Sequence, residues 1–301
     1  MTTERVVAEG FGFPEGPAFD KEGNLWIVEL SNRRVSKIAP DGSWEVVADM
    51  GGSPNGLAFG RDGNAYVCNS GGRWAAEQST GGTPGNGGEP GLIQRLYPDG
   101  KFETLIAEID GVPLNSPNDL CFDAEGGFYF TDPVWPNYDD PNSSIATLPP
   151  GSLCYSTIEG DARRIHTGMA FPNGLGVTED GSTLLVPESG TSKVLAFAIE
   201  APGVLGAPRD HAELVPTTVP DGMCFDSEGR AIVAGHGSSR LHVFAPEGGL
   251  AEEHIEVDDK DVTNVCFGGP DFSTLFVTES DTGRVAAIEW KVPGMRLFPD
   301  R

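Results

Sequence analysis

Positive charge is scarce in this chain. It carries 20 Lys and Arg against 45 Asp and Glu, for a formal net charge of −25 and a sequence pI near 4.4. A surface of that sign repels phosphate backbones and anionic headgroups, so nucleic acid and membranes are excluded as expected partners and a small molecule is left. Cysteine is also sparse. The five residues at 68, 121, 154, 224 and 266 are odd in number and contain no CxxC, which argues against a disulfide framework. No His or Cys cluster offers a soft metal site. No apolar run reaches membrane-spanning length, and the opening MTTERVVAEG lacks an apolar signal region, so a cytoplasmic protein is expected. Heptads and long 3.6-residue periods are missing as well, which excludes a helical architecture.

What the chain does contain is glycine (41), proline (24) and a pattern repeated six times. The copies read FPEGPAFDKEGNLWIVE, SPNGLAFGRDGNAYVCN, SPNDLCFDAEGGFYFTD, FPNGLGVTEDGSTLLVPE, VPDGMCFDSEGRAIVAG and VTNVCFGGPDFSTLFVTE. Each is a short strand, a tight turn and a returning strand. The turns at Gly23, Gly63, Gly126, Gly181 and Gly229 need residues that tolerate positive φ, so the acidic residues beside those glycines read as structural. Further strands such as RVSKIAP and WEVVAD follow each hairpin. Four strands per unit and six units spanning residues 1–301 predict a single-domain, all-β, six-bladed β-propeller, closed by RVVAEGF pairing with the last blade. Cys121, Cys224 and Cys266 share one position in three copies and read as small core residues.

Each copy is led by one polar residue: Glu15, Asn55, Asn118, Asn173, Asp221 and Thr263. Each stands at the entry of an innermost strand, so all six are expected at one mouth of the central channel. The ends of the second strands, Glu29, Asn69, Asp132, Glu188, His236 and Glu279, are expected as a second ring beside them. Carboxylates crowded in a partly dry channel are costly unless neutralised. A single divalent cation is the simplest candidate. All-oxygen donors suit Ca²⁺ first, then Mg²⁺ or Mn²⁺, with Zn²⁺ or Fe²⁺ compatible. Asn55 also fits an ordinary Pro-Asn-Gly turn, and Thr263 reads as structural. Two long insertions, residues 71–90 and 132–151, carry Trp74, Trp135 and Tyr138, which either wall a pocket or pack the loops down.

At FPEGPAFD, SPNDLCFD, FPNGLGV, VPDGMCFDSEG and TNVCFGGPDFSTLFVT the chain resembles the regucalcin/gluconolactonase family of six-bladed propellers. The resemblance implies one divalent metal in the channel and hydrolysis of lactones, often sugar lactones. It implies Glu15, Asn173 and Asp221 as metal ligands and Asn118 beside metal and substrate. Asp132 resembles an acidic residue that some lactonases use near the metal. Asp221 or Asp132 would be the general base, and Asn55, His236 and Trp135 are further substrate-binding candidates. One departure stands out. Members similar to regucalcin carry an arginine two residues before the asparagine matched by Asn118, where this chain has Ser116, so a sugar substrate is not assured. The expected function is a metal-dependent lactone hydrolase. The alternatives are another hydrolase or lyase on the same site, acting on a phosphoester or organophosphate, or a non-catalytic calcium-binding protein.

Overall fold

The computed structural model describes residues 4–72, 90–136, 144–215, 218–251 and 253–298. Six antiparallel sheets are arranged as the blades of a propeller, each with a core of four strands in simple meander order. Blade 1 runs Pro14–Phe19, Leu25–Glu29, Arg34–Ile38 and Trp44–Asp49. Blade 2 begins at Pro54–Phe59 and Ala65–Asn69, and blade 3 at Leu120–Phe122 and Phe128–Asp132. Blade 4 begins at Gly176–Val177 and Thr183–Glu188, and blade 5 at Val219–Phe225 and Ala231–His236. Blade 6 comprises Val262–Gly268, Thr274–Glu279 and Arg284–Glu289. Its outermost strand is Arg5–Glu9 from the other end of the chain, antiparallel to Arg284–Glu289. That closure is the one expected from RVVAEGF. The innermost strands touch in sequence around the ring, from blade 1 to blade 6 and back to blade 1.

Burial explains why the sequence alternates so poorly in the second strands. Leu25–Glu29, Ala65–Asn69 and Phe128–Asp132 are buried at every position, because a blade is covered by a neighbour on both faces. The outermost Trp44–Asp49 is mostly exposed. Between blades the contacts are apolar and aromatic. Trp26 meets Phe59 edge-on with ring centroids 5.4 Å apart. Tyr66 meets Phe122 at 5.3 Å, and Phe19 of blade 1 meets Phe276 of blade 6 at 4.9 Å. Such pairs add directional preference to burial.

Of the acids beside the turn glycines, Asp62 and Asp180 hold their turns, accepting from Asn64 N and Ser182 N; in other blades the acid that does so comes first in the turn. Asp20 accepts from Asn24 N, Asn24 Nδ2 and Trp26 Nε1. Asp226 accepts from the amides of Glu228 and Arg230, from Arg230 Nε at 2.6 Å and from Trp290 Nε1 at 3.0 Å. It thereby ties the blade 5 turn to the segment that follows blade 6.

That segment turns beneath the channel. Met295 N donates to Phe225 O, and residues 295–298 floor a cavity of about 150 Å³. Cys121, Cys224 and Cys266 line this cavity with Phe298, so they are channel-wall residues with free thiols. With one end floored by the chain's own tail, the opposite end is the one that carries the leading polar residues.

Replacing Asp226 by Ala removes the acceptor for one guanidinium and one indole in a dry setting. The expected cost is about 3 kcal/mol, read as a lower urea midpoint with unchanged m. A change within ~0.5 kcal/mol would be surface-like behaviour and would contradict this role.

Candidate functional site

The inner strands do not run as regular β-structure through the leading residues. Opposite Asn69 and Cys68 stand Pro54 and Gly56, so Asn55 is an extra residue. Thr263 is extra in the same way between Val262 and Asn264. The register also slips by one between Glu15 and Ala18 and between Pro220 and Met223. A bulge unpairs one residue, bends the strand and re-aims side chains. Here it lets two successive positions, the leading residue and the one after it, serve the channel.

In four copies that next residue is glycine: Gly16, Gly56, Gly174 and Gly222. In the other two it is Asp119 and Asn264. These side chains take the space that the glycines leave. A Cβ on Gly56 would come within 2.6 Å of Asp119 Oδ1, and one on Gly222 would collide with the Asn264 amide. Sequence reasoning missed both residues, because strict alternation sends a residue beside a channel-facing one to the other face. The signal was present: two polar residues at a position that is otherwise glycine.

The result is a compact polar knot. Glu15, Asn55, Asn118, Asn173, Asp221 and Thr263 are all buried, as is Asn264. Asn264 Nδ2 donates to Glu15 Oε2 at 2.9 Å and to Asp119 Oδ2 at 3.4 Å. Glu15 Oε2 also accepts from Gly16 N at 2.7 Å. Burial, then repulsion from Asp119, pushes the Glu15 carboxyl up to about 8. Burial pushes Asp119 up to about 7. Asp221 lies well above the carboxylate range because of burial and of repulsion from Glu15 and Asp119, despite a hydrogen bond from the Asn173 side chain. Among the described residues, no lysine or arginine is one of the main influences on these three carboxyls.

The residues fit a hard cation. Every side-chain donor atom that Glu15, Asp221, Asn118 and Asn173 can present to one is oxygen, the donor type of Ca²⁺, Mg²⁺ or Mn²⁺. Among the described residues, no three His, Cys, Asp or Glu side chains group closely enough to hold an ion unaided. The asparagine oxygens are therefore a necessary part of the donor set.

The expected second ring does not join this cluster. Pro14 pairs with Glu29, Pro54 with Asn69, and Val262 with Glu279. The second-strand residue thus sits opposite the residue before the leading one, and alternation turns its side chain away from the channel residue's. These side chains clamp backbone instead. Glu29 accepts from Gly12 N, Asn69 from Ser53 N and Glu188 from Ala170 N. Glu29 and Glu279 are also paired, with Arg34 and Arg284. Asp132 follows the same rule: it is fully buried and accepts from Asn115 N at 2.9 Å and Ser116 N at 2.9 Å. Burial pushes its carboxyl up against those donors. Its carboxylate shapes the turn into Asn118, and no described hydrogen bond links it to the three acids.

His236 is half-buried at the rim, 3.9 Å from Asp261, and burial holds its imidazole below the usual range. Trp135 packs edge-on against Phe171, two residues before Asn173, with centroids 5.4 Å apart. Trp74 and Tyr138 lie outside the described residues. Ser116 is fully buried, and a serine has neither the reach nor the charge of an arginine.

Residues 13–281 match the family model of the SMP-30/gluconolactonase/LRE-like region. A diisopropyl-fluorophosphatase of Loligo vulgaris is 30% identical over 66% of this chain and 66% of its own length. The match thus spans just under two thirds of that relative. A regucalcin of Xenopus laevis is 27% identical over 93% of this chain and 87% of its own. Among solved structures, a gluconolactonase of Xanthomonas campestris superposes with a TM-score of 0.77 at 26% identity, covering 96% of this chain and 89% of the other. The propeller, the channel knot and these matches agree: the chain belongs to the SMP-30/gluconolactonase/LRE-like family.

Proposed function

We propose that this protein is a divalent-metal-dependent hydrolase that opens a lactone ring. The observation that supports the reading is the closeness of Glu15, Asp119 and Asp221 in the channel, with no lysine or arginine among the main influences on them in the described residues. The family supplies the reaction class. Glu15, Asn118, Asn173 and Asp221 would hold the ion, with Ca²⁺ first by donor type. Asp119 would add negative charge from beneath, and Asn264 would hold the Glu15 and Asp119 carboxylates together. A bound divalent cation would polarise the ester carbonyl and stabilise the charge that develops on its oxygen.

The chain's own groups do the rest. Water attacks the carbonyl carbon as Asp221 takes its proton; the tetrahedral intermediate then expels the ring oxygen, which takes that proton from Asp221 and leaves as the hydroxyl of the hydroxy acid. Burial and the neighbouring acids raise the basicity of Asp221 above that of an ordinary carboxylate, the direction that favours a general base. Asn55 and Asn118 orient the substrate from the channel wall, and His236 stands at the rim. Asp132, bound by three N–H groups, organises the approach to Asn118 and takes no proton. The missing arginine at Ser116 favours lactones other than those of sugar acids. A small, neutral or weakly cationic substrate suits a protein of charge −25. We take residues 1–301 as one domain working in a reducing, cytoplasmic setting, in keeping with five free cysteines. Among the described residues no helix is long and apolar enough to cross a membrane.

A second reading is favoured by one finding, the relative named for hydrolysis of a fluorophosphate. The same oxygen-lined site would polarise a phosphoryl oxygen as readily as a carbonyl. A panel of lactones set beside an organophosphate separates the two.

Asp221→Asn should lower lactone kcat/KM by at least ~100-fold and weaken calcium binding, both measured on the same preparation. Asp132→Asn should leave both nearly unchanged apart from some loss of stability. Equal losses in the two variants would return Asp132 to the chemistry.

The raised carboxyls also predict the pH response of metal-stripped protein. Glu15 rises from 4.5 to about 8 and Asp119 from 3.8 to about 7 on folding. The folded state therefore holds protons that the unfolded chain has released between those limits, and stability from these groups falls as pH rises from about 4.5 to 8. Melting temperatures of the stripped protein should drop across that window, and added Ca²⁺ should raise them more at pH 8 than at pH 5. A calcium effect independent of pH would contradict this.

A further inference from the structure

Three serines stand at equivalent places, directly after the second strands of blades 2, 4 and 6: Ser70, Ser189 and Ser280. Each backbone amide donates to the carbonyl two residues before the leading residue of its own blade, at Ser53, Phe171 and Asp261. Each hydroxyl donates across to the next blade, to the carbonyl directly before that blade's leading residue. Ser70 Oγ reaches Pro117 O at 2.9 Å, Ser189 Oγ reaches Pro220 O at 2.7 Å and Ser280 Oγ reaches Pro14 O at 3.1 Å. Those carbonyls precede Asn118, Asp221 and Glu15. The corresponding positions of blades 1, 3 and 5 are Leu30, Pro133 and Gly237, which have no hydroxyl. The device therefore alternates around the ring.

A serine hydroxyl has one proton to donate. In Ser70 and Ser189 the neighbouring carbonyl takes it. Towards their own blade these hydroxyls can only accept, and they accept from amides: Asn55 Nδ2 to Ser70 Oγ at 3.4 Å, and Asn173 Nδ2 to Ser189 Oγ at 3.2 Å. An asparagine amide is nearly symmetric in shape, and its orientation is set by its partners. For Asn173 those partners are Ser189 and the Asp221 carboxylate, and both require N–H.

We propose that Ser189 is a positioning residue that locks the Asn173 amide with its oxygen free for a cation, and that Ser70 does the same for Asn55. This rests on the reading of the channel as a divalent-cation site. Without Ser189, only the Asp221 carboxylate is left to orient the amide, and a bound cation competes for that carboxylate, so the oxygen is held towards the ion less firmly. Blade 6 supplies an internal control. Its leading residue is Thr263, a hydroxyl with no second end to present, and Thr263 Oγ1 also donates to Pro14 O at 3.1 Å. Ser280 thus tethers blades without orienting an amide.

The test uses the full chain, stripped of metal and titrated calorimetrically with calcium ions alone. Ser189→Ala should weaken binding about tenfold, the usual cost of removing a group that orients a ligand. Ser189→Thr, which keeps the hydroxyl, should bind close to wild type, and so should Ser280→Ala. Ser189→Cys keeps the volume but is a poor acceptor. It should bind more weakly than wild type, and it serves if the alanine variant does not fold. Melting of the stripped variants reports any loss of blade tethering separately from affinity. Wild-type affinity in both Ser189→Ala and Ser189→Cys would overturn the proposal. So would an equal loss in Ser280→Ala, which would assign the effect to tethering. Wild-type protein that binds no calcium would overturn the cation reading itself, before any substitution is compared.

Discussion

The structure turns on an electrostatic conflict in a dry place. Glu15, Asp119 and Asp221 come from three different blades and lie close enough in the channel for their charges to interact; burial raises all three carboxyls, and repulsion raises Glu15 and Asp221 further. Uncompensated charge of this kind is among the most costly features a fold can retain. Two responses remain open: the acids keep protons, or a cation replaces them. The amide donors around them, Asn264 Nδ2 and Gly16 N, soften the conflict without removing it. The proposed function rests on the fold holding the acids in this arrangement.

The rest of the molecule is organised to keep the conflict in place. Apolar packing between blades fixes the ring, and the Arg5–Glu9 strand closes it on blade 6. Bulges at the leading residues bend each inner strand so that two positions face the axis. Glycines at Gly56 and Gly222 leave room for Asp119 and Asn264 from the neighbouring blade. The acids of the second strands, which could have worsened the repulsion, are spent on backbone amides and arginines. Mutual repulsion is therefore confined to the residues that use it.

Much of this was legible in the residue order. The six copies foretold the blades and the closing strand, because hairpin turns and strand lengths are local properties. The leading residues marked equivalent places on the inner strands, because a radial fold repeats one position in every blade. Asp119 and Asn264 escaped because a bulge is decided by hydrogen bonding between strands, which no periodicity records. Asp132 and its companions were misplaced for a related reason: their position along the strand was right, but one step of register decides which face a side chain takes. The donors that hold Asp132, the amides of Asn115 and Ser116, are backbone groups and leave no trace in the sequence. The serine relays joined residues of one blade to carbonyls of the next and needed coordinates to be seen.

The central claim is that one divalent ion in this knot is the agent of ester hydrolysis. The most direct measurement strips the protein of metal and follows ring opening across aliphatic, aromatic and aldonic lactones while calcium is restored in sub-stoichiometric steps. The account predicts no turnover at the start and activity that rises in proportion to bound ion, levelling at one equivalent per chain. Full turnover by the stripped protein, or one tightly bound ion with no turnover on any lactone, would contradict it.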